Sequence, residues 1–294
     1  MRLAAIDIGS NACRLLVTEV VAKPGVKPQF NKLNLVRVPL RLGFDVFETG
    51  IIPAAKVEMM MHAMQAYASL MRAYQVDRHI AVATSAMRDA SNTGEIVGKI
   101  FKETGINIQI ISGDFEASLI YESHIAESLD TGSNYLYIDV GGGSTELTLF
   151  MNGELAFKHS FNIGTIRLLK GQVSDNEWEL MKEKIRKDVR GLKNLIAIGT
   201  GGNINKVFSL SKKKDGKSIQ LELLRTYHRE MSLLSVEDRM RYFNLRADRA
   251  DVIVPALLIY TQIMKWAMID EMIVPKIGIV DGLIQHLFSE PFSG

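Results

Sequence analysis

Leu3-Ala4-Ala5-Ile6-Asp7-Ile8-Gly9-Ser10-Asn11 and Tyr135-Leu136-Tyr137-Ile138-Asp139-Val140-Gly141-Gly142-Gly143-Ser144-Thr145 are the two stretches that decide the fold. Each is a short apolar run that ends in an aspartate and then turns through glycine and small polar residues. The aspartates stand at positions 7 and 139, 132 residues apart in a chain of 294, which is close to half its length. The same plan follows each turn. After the first come apolar runs over 15–21 and 30–42, parted by Lys23-Pro24-Gly25, which read as an antiparallel meander. After the second come 146–151 and 154–161 around Asn152-Gly153, a two-residue hairpin signal.

The period then changes in both halves. Between Pro53 and Tyr74, Val57, Met60, Met61, Met64, Ala68 and Met71 recur at helical spacing and predict a helix whose methionines fill the core. A strand over 79–83, a helix over 92–103, a strand over 106–111 and a helix over 114–129 complete the first half. In the second half the pattern predicts helices over 175–192, 202–209, 251–268 and 278–288, with strands over 195–198 and 272–274. The reading is an α/β fold duplicated at domain scale, with domains over 1–129 and 130–294. The final helix is a candidate to pack back on the first domain. Two such halves facing each other leave a cleft, where ligands tend to bind.

Composition narrows the class. Hydrophobic residues make up 47% and charged residues 23%, a core-forming balance rather than that of a disordered or fibrous chain. The net charge of +2 comes with no dominant basic face, so no nucleic-acid polymer is called for as a partner. The densest basic run, Lys212-Lys213-Lys214, reads as a solvated loop. Cys13 is the one cysteine, so no internal disulfide can form, and it reads as a small buried filler. The early charge at Asp7 does not suit a signal peptide, and no apolar run is long enough for a membrane span, so a cytoplasmic protein without a membrane partner is expected.

The paired turns point to phosphate. Glycines let a backbone approach a ligand closely with its N–H groups directed at it. Gly9, Ser10 and Asn11 in the first turn, and Gly141, Gly142, Gly143, Ser144 and Thr145 in the second, supply such donors. Asp7 and Asp139 would repel phosphate unless a divalent cation stood beside them, so Mg2+ or a similar hard ion is implied. A third cluster, Gly199-Thr200-Gly201-Gly202, opens a helix and reads either as an anion-attracting N-terminus or as close strand–helix packing. The six histidines, at 62, 79, 124, 159, 228 and 286, show no ligand spacing and receive no metal.

Taken in chain order, these motifs resemble the exopolyphosphatase/guanosine pentaphosphate phosphohydrolase (Ppx/GppA) family. The resemblance is carried by Asp7-Ile8-Gly9-Ser10-Asn11 with Arg14-Leu15, Arg41-Leu42-Gly43, Ala83-Thr84-Ser85-Ala86 with Arg88, and Ile111-Ser112-Gly113 with Glu116-Ala117. It continues through Asp139 to Glu146, Gly199 to Gly202, Arg249-Ala250-Asp251 and Gly278 to Gly282. It implies the duplicated ribonuclease H-like fold of the actin, Hsp70 and sugar kinase superfamily. It also implies release of terminal phosphate from polyphosphate or from guanosine pentaphosphate. Long members carry further C-terminal helical domains, whereas this sequence stops after the second actin-like domain.

The resemblance also assigns roles. Sequence alone reads Glu116 as an ordinary helix-start charge; the resemblance makes it the catalytic base, and Glu146 the group that orients water or metal. A helix N-terminus favours the ionised carboxylate that a base needs. The family often has an acidic residue just before this glutamate, and here that place is Phe115. Arg88 would pair with phosphate oxygens, with Arg14 and Arg249 as weaker candidates, and Gly201 would join the phosphate contacts. Asp7 and Asp139 would hold the metal. Two other functions share the paired turns: a phosphotransferase of the same fold, and a non-catalytic sensor of guanine nucleotides or alarmones. The substrate preference and a homodimer are left open.

Overall fold

The computed structural model describes residues 1–122, 133–275 and 277–290. Positions 123–129 of the helix expected over 114–129, the domain boundary expected between 129 and 130, and His124 lie outside them. The chain forms two compact units, Met1–Ser123 with Ile279–Gly294, and His124–Gly278.

In the first unit, β1 (Arg2–Ile8), β2 (Cys13–Lys23), β3 (Val26–Val38), β4 (Arg78–Ala83) and β5 (Ile108–Ile110) form one sheet in the order β3-β2-β1-β4-β5. The first three strands are antiparallel neighbours, and β4 and β5 join in parallel. Central β1 is apolar without alternation because both of its faces are covered. Ala4, Ile6 and Ile8 face one core with Met60, Met64 and Met71 of α2 (Ala54–Ala73) and with Ile96 and Ile100 of α4 (Thr93–Thr104). Leu3 and Ala5 face the other with Leu119 of α5 (Gly113–Glu122) and with Leu283, Ile284 and Leu287 of the last helix, α13 (Ile279–Ser289). The methionines expected in the core are there, and Cys13 is fully buried. Short helices α1 (Gly43–Thr49) and α3 (Ser85–Asp89) complete the unit.

The second unit repeats the order. Strands β6 (Asn134–Val140), β7 (Thr145–Met151), β8 (Glu154–Phe161), β9 (Leu195–Thr200), β10 (Ile219–Gln220) and β11 (Glu271–Ile273) run β10-β11-β9-β6-β7-β8. Read from the other edge, β8-β7-β6-β9-β11 matches β3-β2-β1-β4-β5 in order and in strand direction, with β10 added. Leu136, Ile138, Leu147 and Leu149 pack on Met181 and Ile185 of α7 (Asp175–Asp188) and on α12 (Ile253–Trp266). Helices α6 (Thr165–Leu169) and α8 (Gly202–Leu210) follow β8 and β9. No helix among the described residues is long and apolar enough to cross a membrane.

Three departures from the sequence reading have local causes. The apolar run over 30–42 ends as a strand at Val38 because the chain turns there to tie the first Asp-Gly turn, with Gly43 N donating to Ser10 O at 2.8 Å. The helix expected to reach 192 stops at Asp188, ahead of Gly191 at φ 79°. The stretch over 210–250, which gave no element, contains α9 (Leu221–Ser232), α10 (Val236–Phe243) and α11 (Ala247–Ala250). Their apolar stripes are thin, with only Leu221, Leu224 and Met231 buried in α9 and none in α10. A capping signal was present, since Ser235 Oγ accepts from Asp238 N at 3.0 Å.

One packing contact predicts a stability effect. Helices α5 and α13 meet where Gly282 leaves no room: a Cβ there would overlap the Leu119 carbonyl, which is backbone and cannot rotate away. Overpacking typically costs 1–3 kcal/mol and more where backbone must shift. Gly282→Ala should therefore lower the melting temperature of the unit by several degrees, read by differential scanning calorimetry against Gly278→Ala, whose Cβ would meet nothing within 4 Å. Equal melting temperatures for the two variants would contradict the contact.

Candidate functional site

The turn after β1 and the turn after β6 share one hydrogen bond at one offset. Two residues beyond Asp7, the Gly9 amide donates to the Ala12 carbonyl at 3.1 Å; two beyond Asp139, the Gly141 amide donates to the Ser144 carbonyl at 2.9 Å. Each chain then enters the next strand so that Asp7 lies opposite Arg14, and Asp139 opposite Glu146, in the same antiparallel register. One plan thus puts a cation in the first unit where it puts a carboxylate in the second.

That difference sets the electrostatics. Asp7 is buried, and its Oδ2 accepts from Arg14 Nη1 at 2.8 Å. Its Oδ1 is buried with no hydrogen-bond partner among the described residues. Burial pushes the Asp7 carboxyl above the usual aspartate range, outweighing the pull of Arg14 in the other direction. In the second unit, Asp139 and Glu146 are 7% and 2% exposed and bring a carboxylate oxygen each to within 4.8 Å of one another. Ser160 Oγ donates to Glu146 Oε1 at 3.0 Å. Two carboxylates this close and this buried are costly when both are ionised unless a cation joins them. Their hard oxygen donors fit a divalent ion of the Mg2+ type.

The glycine cluster after β9 closes on the same aspartate. Gly201 has φ 103°, a backbone that L side chains rarely adopt, and a Cβ there would stand 3.0 Å from Asp139 Oδ1. Tyr260 of α12, fully buried, donates its hydroxyl to the Thr200 carbonyl and so fixes the start of this turn. Burial, with Asp139 and Glu146 nearby, pushes the Tyr260 phenol well up, so it stays a donor. The Arg249 guanidinium lies against Gly202 at the first turn of α8 and donates to Asn203 Oδ1 at 3.2 Å. A guanidinium beside a helix N-terminus concentrates positive potential, which suits an anion.

The carbonyls of the second turn are held by the segment beyond β8. Thr165 N donates to Gly141 O at 3.0 Å, Ile166 N to Gly142 O at 2.8 Å, and Arg167 Nε to Gly143 O at 2.8 Å. Thr145, instead of offering its hydroxyl outward, donates it to the Ile163 carbonyl. In the first turn, Ser10 Oγ lies 2.8 Å from Ser85 Oγ at the start of α3, and Asn11 O accepts from Arg41 N at 2.9 Å. Arg88 Nη1 donates to Ile111 O at 2.9 Å, tying α3 to the end of β5. Glu116 is 5% exposed in the first turn of α5, where Ser112 Oγ accepts from Phe115 N at 3.2 Å and caps the helix.

Sequence reasoning missed Ser160, Tyr260 and Arg167. Ser160 and Tyr260 are brought in by strand pairing and by a distant helix, for which no local pattern exists. Arg167 stands in Gly164-Thr165-Ile166-Arg167, a glycine-led segment just beyond the second meander that could have been compared with Arg41-Leu42-Gly43 beyond the first.

Known proteins extend the comparison from the turns to the chain. The Ppx/GppA phosphatase family matches residues 20–290. The bifunctional 3-dehydroquinate synthase/phosphatase of Fusobacterium nucleatum is 30% identical over 93% of this chain, which spans 44% of that protein. Exopolyphosphatase 2 of Mycobacterium tuberculosis is 26% identical over 97% of this chain and 98% of its own length. The guanosine-5'-triphosphate,3'-diphosphate pyrophosphatase of Aeromonas hydrophila is 26% identical over 97% of this chain, which spans 59% of it. An exopolyphosphatase structure from Cytophaga hutchinsonii superposes with a TM-score of 0.82 over 96% of each chain at 21% identity, a likeness of fold. That likeness bears out the duplicated α/β fold expected from the sequence. The match that begins in two Asp-Gly turns runs through almost the whole sequence, and the chain belongs to the Ppx/GppA phosphatase family.

Proposed function

We propose that this protein hydrolyses the terminal phosphoanhydride bond of inorganic polyphosphate or of guanosine pentaphosphate, with Mg2+ as its cofactor. The observation that carries the reading is the buried Asp139–Glu146 pair beside a turn whose three carbonyls are all held from behind. The pair calls for a hard cation, and the turn offers amides for phosphoryl oxygens.

Each residue then has a task. Asp139 and Glu146 would hold the cation in the second unit, and Asp7, whose buried Oδ1 has no hydrogen-bond partner among the described residues, is the ligand candidate of the first. The cation, when bound, neutralises charge on the phosphoryl oxygens. The amides of Gly9, Ser10 and Asn11, and those of Gly142, Gly143 and Ser144, cradle phosphates. Arg14, Arg88 and Arg249 add cationic contacts. Glu116 takes the proton of the attacking water, in a helix first turn that favours its ionised form. Phosphoryl transfer asks for little else than positioning and charge stabilisation.

The test is phosphate release from polyphosphates of several lengths and from guanosine pentaphosphate, each with Mg2+ and with EDTA. Mg2+-dependent release from at least one of them is expected. No release from any, or turnover that requires an acceptor alcohol or acid, would sink the proposal.

A further inference from the structure

We propose that Arg167, a residue to which no role has been given above, is a positioning residue for the phosphate cradle. It would act by aiming the Ser144 amide at a phosphoryl oxygen. The inference rests on the phosphohydrolase reading.

In a trans peptide the C=O of one residue and the N–H of the next point in opposite directions. Holding a carbonyl from behind therefore turns the following amide to the front. Thr165 N holds Gly141 O, Ile166 N holds Gly142 O, and Arg167 Nε holds Gly143 O. The amides so aimed are those of Gly142, Gly143 and Ser144. They are three consecutive donors in a glycine-rich turn, the arrangement that makes an anion-binding concavity.

The first unit uses the same device at the same place. There the chain just beyond the third strand returns to the turn, with Gly43 N donating to Ser10 O and Arg41 N to Asn11 O. These clamps are backbone only. In the second unit the third carbonyl is held by a side chain, and that makes the device testable by substitution. The Arg167 bond is also charge-assisted, so it is stronger than an amide–amide bond and polarises the Gly143–Ser144 peptide, sharpening its N–H as a donor. Arg167 is half-buried, and its Nε–H donates to the Gly143 carbonyl.

The experiment compares Arg167→Ala and Arg167→Lys with wild type. Readouts are phosphate release, the Kd of inorganic phosphate by calorimetry with Mg2+ present, and the melting temperature. Loss of a charge-assisted hydrogen bond is expected to cut kcat and weaken phosphate binding by about 10-fold to 100-fold in Arg167→Ala. Lysine carries the charge without the directed Nε–H, so Arg167→Lys should recover little. Guanidinium ion at about 20 mM, far below the molar range that unfolds proteins, should restore Arg167→Ala and leave Arg167→Lys unchanged. A merely structural role predicts no rescue and a kcat loss that follows the melting temperature. Phosphate binding and kcat within twofold of wild type in Arg167→Ala would overturn the proposal, as would equal recovery by lysine. If wild type releases no phosphate from any substrate but binds it in an Arg167-dependent way, the phosphohydrolase reading fails and the clamp stands.

Discussion

Glu116→Gln should lower phosphate release by about 10²- to 10⁴-fold, the usual loss when a general base is removed, while leaving substrate binding nearly intact. Glutamine keeps the size of the side chain and its capacity to hydrogen-bond, so what is removed is the proton acceptor. The environment supports this separation. Glu116 is buried in the first turn of α5, whose amides need a cap, and Ser112 rather than Glu116 supplies it. The helix start is therefore retained in the variant. In the proposed mechanism Phe115 leaves the duty to one carboxylate. Its ring packs edge-on against His286 of α13 at 5.6 Å and joins the core there. The position before Glu116 is spent on packing and offers no second acid. The measurement is single-turnover phosphate release together with equilibrium binding of the same substrate. Turnover within threefold of wild type would remove Glu116 from the mechanism. A loss of binding as large as the loss of rate would recast it as a substrate or metal contact.

Much of this architecture was legible in the residues because the duplicated turns advertise themselves twice. Asp7-Ile8-Gly9 and Asp139-Val140-Gly141 mark the ends of β1 and β6, and the meanders around them are apolar runs parted by turn residues. The methionine spacing in α2 and the burial of Cys13 followed from periodicity and apolar context. What stayed hidden has two physical causes. The helices over 221–250 carry too few buried residues for a clear stripe. The partners Ser160, Arg167 and Tyr260 reach the turns through strand register, a segment beyond β8 and a helix about 60 residues past the Thr200 carbonyl it holds. Such contacts exist only after folding. The register also exposed something no motif states, that Arg14 and Glu146 occupy one position of the shared plan with opposite charges.

That opposition leads to the second large effect, a gain of stability bought with function. In the first unit Arg14 already accompanies Asp7, whereas in the second two buried carboxylates come within 4.8 Å. At an effective dielectric of about 20, two unit charges at that separation repel by on the order of 3 kcal/mol. The Ser160 hydroxyl donates to Glu146 Oε1 and offsets some of this. Neutralising either member removes the repulsion and also one ligand for the cation. Asp139→Asn and Glu146→Gln should therefore melt at or above the wild-type temperature in EDTA. Adding Mg2+ should raise the wild-type melting temperature and leave both variants almost unmoved. A ligand at about 100 times its Kd stabilises the folded state by roughly 2.7 kcal/mol, which for a unit of this size corresponds to about 5–10 °C. Phosphate release in both variants should fall at least 100-fold, as expected when a metal ligand and its charge are lost together. Differential scanning fluorimetry in EDTA and in Mg2+ separates the two contributions. Variants that melt below wild type in EDTA, yet gain as much as wild type from Mg2+, would show that Asp139 and Glu146 are structural acids and that the cation is held elsewhere. The opposite pattern, higher melting without metal and no gain with it, would assign both carboxylates to the cation.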